Sequence, residues 1–208
     1  MRIRKDQENL ENTKGSRIIW YLLALGVTIF LLFVFSNTRS SEGKHTTKAP
    51  NSEMIREAEK LVTVAMTPAF EYSFDHMTEG VLQHLDRNYT YDVIPYQLNG
   101  GLLFQGIHRP PTGTSLQIEL LQPATVYFFF HSKTDGGYSR IFEELPIWKQ
   151  SPIAPQYDIK NGGHGLNMTM YETDAQPGIL YIPATTSDRA CFSIVFQSSF
   201  GKLAEPDS

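Results

Sequence analysis

Thr125-Val126-Tyr127-Phe128-Phe129-Phe130 is the stretch on which the fold turns. Successive side chains of a strand point to opposite faces. A run that is apolar at every position therefore needs cover on both sides, as a central strand has. Working outward, Pro123 and Ala124 make a short turn. Before it, Ser115 to Leu121 alternates, with Leu116, Ile118 and Leu120 opposite Gln117 and Glu119. That is the pattern of a strand with one face buried. Tyr89 to Ile94, Leu102 to Ile107, Leu166 to Thr173, Gly178 to Ile182 and Cys191 to Gln197 complete a set of short strands. Gly and Pro punctuate them, with Asn99-Gly100-Gly101 the strongest turn signal. This pattern predicts a mainly β fold, a single β-sandwich of the jelly-roll or galactose-binding-like kind. Between 131 and 165 the regular spacing breaks, leaving long loops with a helical turn expected at Ser139 to Leu145. Long loops on a rigid sandwich are where binding usually sits.

Bulk properties narrow the classes. The chain has 208 residues with a net charge of -4, which argues against a nucleic-acid binder. Its one cysteine, Cys191, excludes an intrachain disulfide. The apolar run Cys191-Phe192-Ser193-Ile194-Val195-Phe196 makes that thiol a buried one.

Ile18 to Phe35 carries no charge. It meets the lower length limit of about 17 residues for a membrane span and exceeds the roughly 7–15 of a cleaved signal. Trp20 and Tyr21 stand near one end, at headgroup depth. Arg2, Arg4, Lys5, Lys14 and Arg17 precede the run, whereas Arg39, Lys44 and Lys48 follow it. This bias places the N-terminus in the cytoplasm. The expected order is a cytoplasmic tail over 1–17, a transmembrane helix over 18–36 and a flexible stem over 37–51. An amphipathic helix over 52–66 and an exported β domain over 67–203 complete it. The helix reading rests on Met54, Ile55, Ala58, Leu61, Val62 and Ala65 at helical spacing after a cap at Asn51 or Ser52. Sequons at Asn88 and Asn167 fit glycosylation of an exported domain. The Golgi or endomembrane system and the plasma membrane both suit such a single-pass protein.

Asp86-Arg87-Asn88-Tyr89-Thr90-Tyr91-Asp92-Val93-Ile94-Pro95 followed by Leu98-Asn99-Gly100-Gly101 resembles the opening of a β-sandwich accessory module of exported bacterial proteins. That module often stands beside polysaccharide-acting enzymes. Pro123-Ala124-Thr125-Val126-Tyr127, Pro146-Ile147-Trp148 and Pro177-Gly178-Ile179-Leu180 extend the resemblance across about residues 86–197. The family pattern continues after its tyrosine to an acidic turn, where this chain has Phe128-Phe129-Phe130-His131-Ser132. The resemblance implies a non-catalytic, glycan-associated fold and supplies no catalytic residue.

No hydrolase elbow, phosphate loop or His-Glu-x-x-His motif is present. Adjacent Glu143 and Glu144 point apart on a helix and do not make a facing pair. Asp135, Asp158 and Asp174 have oxygen ligands but no calcium-loop pattern. His131 and His164 border the long insertion, yet nothing in the spacing gives zinc its three or four ligands. Neither metal nor other cofactor is expected. Aromatic rings with a polar handle are the better signal for sugar recognition. Trp148, Tyr138, Tyr157, His131, His164 and Arg109 are accordingly the candidate ligand-binding residues. The expectation is a membrane-anchored, non-catalytic module binding a glycan or protein partner through the 131–165 loops. The alternatives are a trimeric cytokine-like ligand and a small Golgi-type enzyme acting on glycans.

Overall fold

The computed structural model describes residues 48–159 and 162–198. The expected tail and membrane helix lie outside these residues. Among the described residues no helix is long and apolar enough to cross a membrane. The described residues all belong to one compact unit.

Among the described residues two short α-helices, α1 (Ser52–Ala58) and α2 (Tyr138–Glu143), accompany eleven strands. The strands are β1 (Val62–Thr67), β2 (Ser73–His76), β3 (Tyr89–Val93), β4 (Leu102–Gln105), β5 (Ser115–Leu120) and β6 (Ala124–His131). They continue as β7 (Lys149–Gln150), β8 (Gln156–Ile159), β9 (Gly163–Ala175), β10 (Gly178–Ile182) and β11 (Phe192–Ser198). A three-stranded sheet runs β1-β5-β10. A larger sheet runs β2-β4-β11-β6-β9-β8-β3, with β7 added beside β9.

The run that is apolar on both faces is β6, and it is central, paired with β11 on one side and β9 on the other. Its two faces feed two cores. Val126, Phe128 and Phe130 join Leu116, Ile118 and Leu120 of β5 in the first, between the sheets. Tyr138 and Phe142 of α2 close that core over Phe128, with ring centroids 4.9 and 4.8 Å away. Tyr127 and Phe129 belong to the second core, with Leu103, Tyr91, Tyr157, Met168 and Met170. The large sheet curls to enclose it. Strand β9 is 13 residues long and pairs with β6 through its second half and with β8 through its first. Strand β8 then carries β3 over the far side of that core.

The sequence reading of residues 52–66 as one helix is corrected. Helix α1 stops at Ala58, and Val62–Thr67 is a strand that pairs with β5. The β-branched run Val62-Thr63-Val64 resists helix and suits a half-buried pleat. Its alternate residues Val62 and Val64 are buried. Asn51 caps α1 as expected, its side chain accepting from the backbone of Glu53 and Met54. The last residues of the expected stem are fastened, because Lys48 pairs with Asp75 at 2.5 Å. Strand β2 occupies part of the segment that the sequence left unassigned.

Phe128→Ala and Phe129→Ala should each destabilise the chain by about 3–5 kcal/mol, the usual penalty for emptying a buried Phe site. Denaturant midpoints check this. A fold with only one packed side would lose stability in one variant alone.

Candidate functional site

The 131–165 segment presents an open groove of about 450 Å³. Ser132, Gln150, Ile153, Gln156, Asn167 and Thr169 line it. Register puts them together: β9 carries Asn167 and Thr169 beside the end of β6, and Gln156 faces Asn167 from β8. Gln156 Nε2 donates to Asn167 Oδ1 at 3.1 Å, and the Ser132 and Thr169 hydroxyls lie 3.0 Å apart. Amides and hydroxyls dominate the surface. Ile153, half exposed, supplies apolar area.

The candidate ligand-binding residues divide. Trp148 and Tyr138 are 6% and 1% exposed and belong to the first core. Trp148 packs edge-on against Phe142. Neither ring offers a face to a ligand, because the core needs both. Arg109 is exposed on its turn. His164 is exposed and lies 3.5 Å from Asp158 and 3.7 Å from Asp92. It does not join His131. His131 is opposite Met168, and four strand residues separate that position from His164, roughly 13 Å. Asp135 accepts from the Gly137 amide in its own turn, Asp174 accepts from Thr125, and Glu144 pairs with Arg140. Asp135, Asp174 and Glu144 thus each face a partner of their own, and Asp92 and Asp158 are the carboxylates that meet, at His164. Asn88 is half-buried beside β3, whereas Asn167 is exposed in the groove.

His131 and Tyr157 instead enter a buried polar cluster at one end of the second core. The rings stack 4.1 Å apart and 5° from parallel. His131 Nε2 donates to Gln83 Oε1 at 3.1 Å and lies 3.9 Å from Cys191 Sγ. Cys191 Sγ is 3.2 Å from His84 Nε2. His108 stands beside them, its ring centroid 5.2 Å from that of His84 and 5.9 Å from that of His131.

Five separate segments build this cluster, Tyr157 coming from β8. Phe130 brings the β6 register to its end at His131, and Ala190-Cys191 delivers the thiol just before β11. The loop carrying Gln83 and His84 is tied to β3 by Gln83 N donating to Tyr89 O and Tyr91 N donating to Val81 O. On its other side Leu85 N donates to Gly106 O, the buried Gln105 amide donates to Leu82 O, and His108 N donates to the Asp86 carboxylate.

Burial removes charge from the cluster. Desolvation holds His108 and His131 down to about 4 and His84 well below the usual histidine range. It pushes the Cys191 thiol up to about 12. The cluster is therefore a thiol among neutral imidazoles. A Cys–His pair is also the arrangement of an activated nucleophile. Here the thiol is 2% exposed and fully protonated, and no substrate reaches it. Sequence reasoning expected a buried Cys191, which stands one residue before β11, and singled out His131, but missed Gln83 and His84. Their separations, 48 residues for Gln83–His131 and 107 for His84–Cys191, give no local motif.

No family model matches this chain, and no curated protein matches it. A solved structure, the β-glucuronidase from glycoside hydrolase family 2, is similar at a TM-score of 0.52 and 17% identity. The match covers 73% of this chain and 15% of that enzyme, so the likeness is to one part of a much longer protein and concerns the fold. The fold is mainly β, with a curled sheet like that of a β-sandwich domain in that enzyme.

The Cys191 thiol should stay unlabelled by a water-soluble thiol reagent in native protein and react fully in denaturant. Labelling of the native chain at the denatured rate would show the cluster to be open.

Proposed function

We propose that this protein is a non-catalytic recognition module of the jelly-roll or galactose-binding-like kind that binds a glycan in the 131–165 groove. The observation that carries this reading is the groove itself, with Gln150, Gln156 and Thr169 on strands and Ser132 and Ile153 on the adjoining turn and loop. Sugars present hydroxyls for which amides and hydroxyls are matched partners, both donating and accepting. The likeness to a sandwich within a β-glucuronidase and the accessory-module resemblance point the same way by analogy of fold. The charge-free run Ile18 to Phe35 is the proposed anchor, with the β domain exported.

A second surface competes for the same role. Tyr96 is 93% exposed, beside Gln97, Asn99 and Gln197 in a groove of about 290 Å³. An exposed ring next to amides offers apolar area for a sugar face and polar partners for its hydroxyls.

The groove also holds Asn167, so an attached glycan would occupy it. The test therefore uses bacterially produced, unglycosylated residues 45–208 on a glycan array. Gln150→Ala with Gln156→Ala should weaken binding about tenfold, from two hydrogen bonds at about 0.5–1.5 kcal/mol each. Loss in Tyr96→Ala alone moves the site to the second surface. A blank array from folded fragment sinks glycan recognition. For the anchor, the full chain should resist carbonate extraction from membranes, and deletion of 18–35 should release it.

A further inference from the structure

We propose that His84, His131 and Cys191 form a metal site for a zinc-class ion, a function separate from the groove. One ligand atom from each, a ring nitrogen of either histidine and the cysteine Sγ, all lie within 4.8 Å of one another, and Nε2 is the nitrogen beside Sγ in both rings. Zinc binds sulfur at about 2.3 Å and imidazole nitrogen at about 2.0–2.1 Å, which in a tetrahedron separates S from N by about 3.6 Å. The two observed S–N separations, 3.2 and 3.9 Å, bracket that value. Closing the three atoms around an ion needs side-chain movements of about an ångström.

The alternative is a purely hydrogen-bonded cluster, and it leaves other polar atoms of these side chains without partners. One thiol proton serves at most one imidazole. His131 Nε2 is already committed to Gln83 Oε1. Among the described residues, six buried side-chain polar atoms find no hydrogen-bond partner, and Gln83 Nε2, His84 Nδ1 and His108 Nδ1 are three of them. Gln83 and His84 are 0% and 1% exposed. Unpartnered polar atoms are few in folded proteins, and each marks strain or an ion or solvent site. Half of those found here belong to side chains of this cluster.

The donor set selects the ion. One thiolate and two imidazoles suit zinc or copper and disfavour calcium and magnesium, which take oxygen. With three protein ligands the fourth position falls to water, the pattern of an open rather than a closed site. Gln83 Oε1, 3.1 Å from His131 Nε2, stands nearby as an acceptor for one of its protons. Binding displaces the Cys191 thiol proton to solvent and turns His131 to the tautomer protonated at Nδ1, releasing its bond to Gln83.

Cobalt(II) titration of the full chain in detergent tests this, because Cys191 is the chain's only cysteine. Metal-free protein should take up one equivalent, with a near-ultraviolet thiolate-to-cobalt band and intense visible bands of a tetrahedral ion. Zinc should abolish both. Cys191→Ser should lose the thiolate band, and His131→Gln should bind more than about a hundredfold more weakly, beyond the loss usual for a supporting residue. His164→Ala, at the exposed His164–Asp92–Asp158 cluster, should leave the spectrum unchanged. Folded wild-type protein without the thiolate band at millimolar cobalt overturns the proposal, as does a band that persists in Cys191→Ser. The wild-type spectrum decides even where a variant fails to fold.

Discussion

Burial of β6 on both faces is the constraint on which the rest depends. A strand has no third direction, so each side chain from Val126 to Phe130 must enter one core or the other. One sheet laid against β6 covers only half of these residues. The other half obliges the large sheet to curl, and β9 is the strand that makes this possible, because it is long enough to leave β6 and continue along β8. The second core exists because of that turn. Both places where chemistry gathers, the groove and the histidine–cysteine cluster, lie where β6, β8 and β9 part company.

The cluster follows from the same constraint. The apolar run ends at His131, which the register still holds inside. A histidine there has no path to water, so its nitrogens must find partners in the interior. Gln83, Cys191 and the flat face of Tyr157 are what the fold supplies. Charge is expelled in return, which is why the imidazoles are neutral and the thiol keeps its proton.

Much of the fold was legible because it rests on period. All seven strands read from alternation or from apolar runs are present, as is the helical turn near Ser139. The misreading at 52–66 has a specific cause. Leu61, Val62 and Ala65 fit a helical stripe, but Val62 and Val64 fit a strand equally, and pairing with β5 decided between them. Strands β2, β7 and β8 are two to four residues long and offer too few positions for any period to show. The site was less legible. Trp148 and Tyr138 were attractive as surface rings, yet ring type alone does not separate a sugar platform from a core plug. Gln83 and His84 acquire meaning only when β3, β4 and β11 bring distant segments together.

Strand β10 forms one margin of the small sheet, where among the described residues only β5 is its neighbour. Ile179 and Tyr181 project from it and are more than half exposed. Such a margin invites another chain to add a strand and seed aggregates. Pro177 stands just before the strand and Pro183 just after it, and neither has an N–H to offer. An incoming chain finds a ladder of five residues at most, with a blocked rung at each end. The brackets around β10 thus set a ceiling on templated growth, and they leave the apolar pair in place for solvent-facing duty.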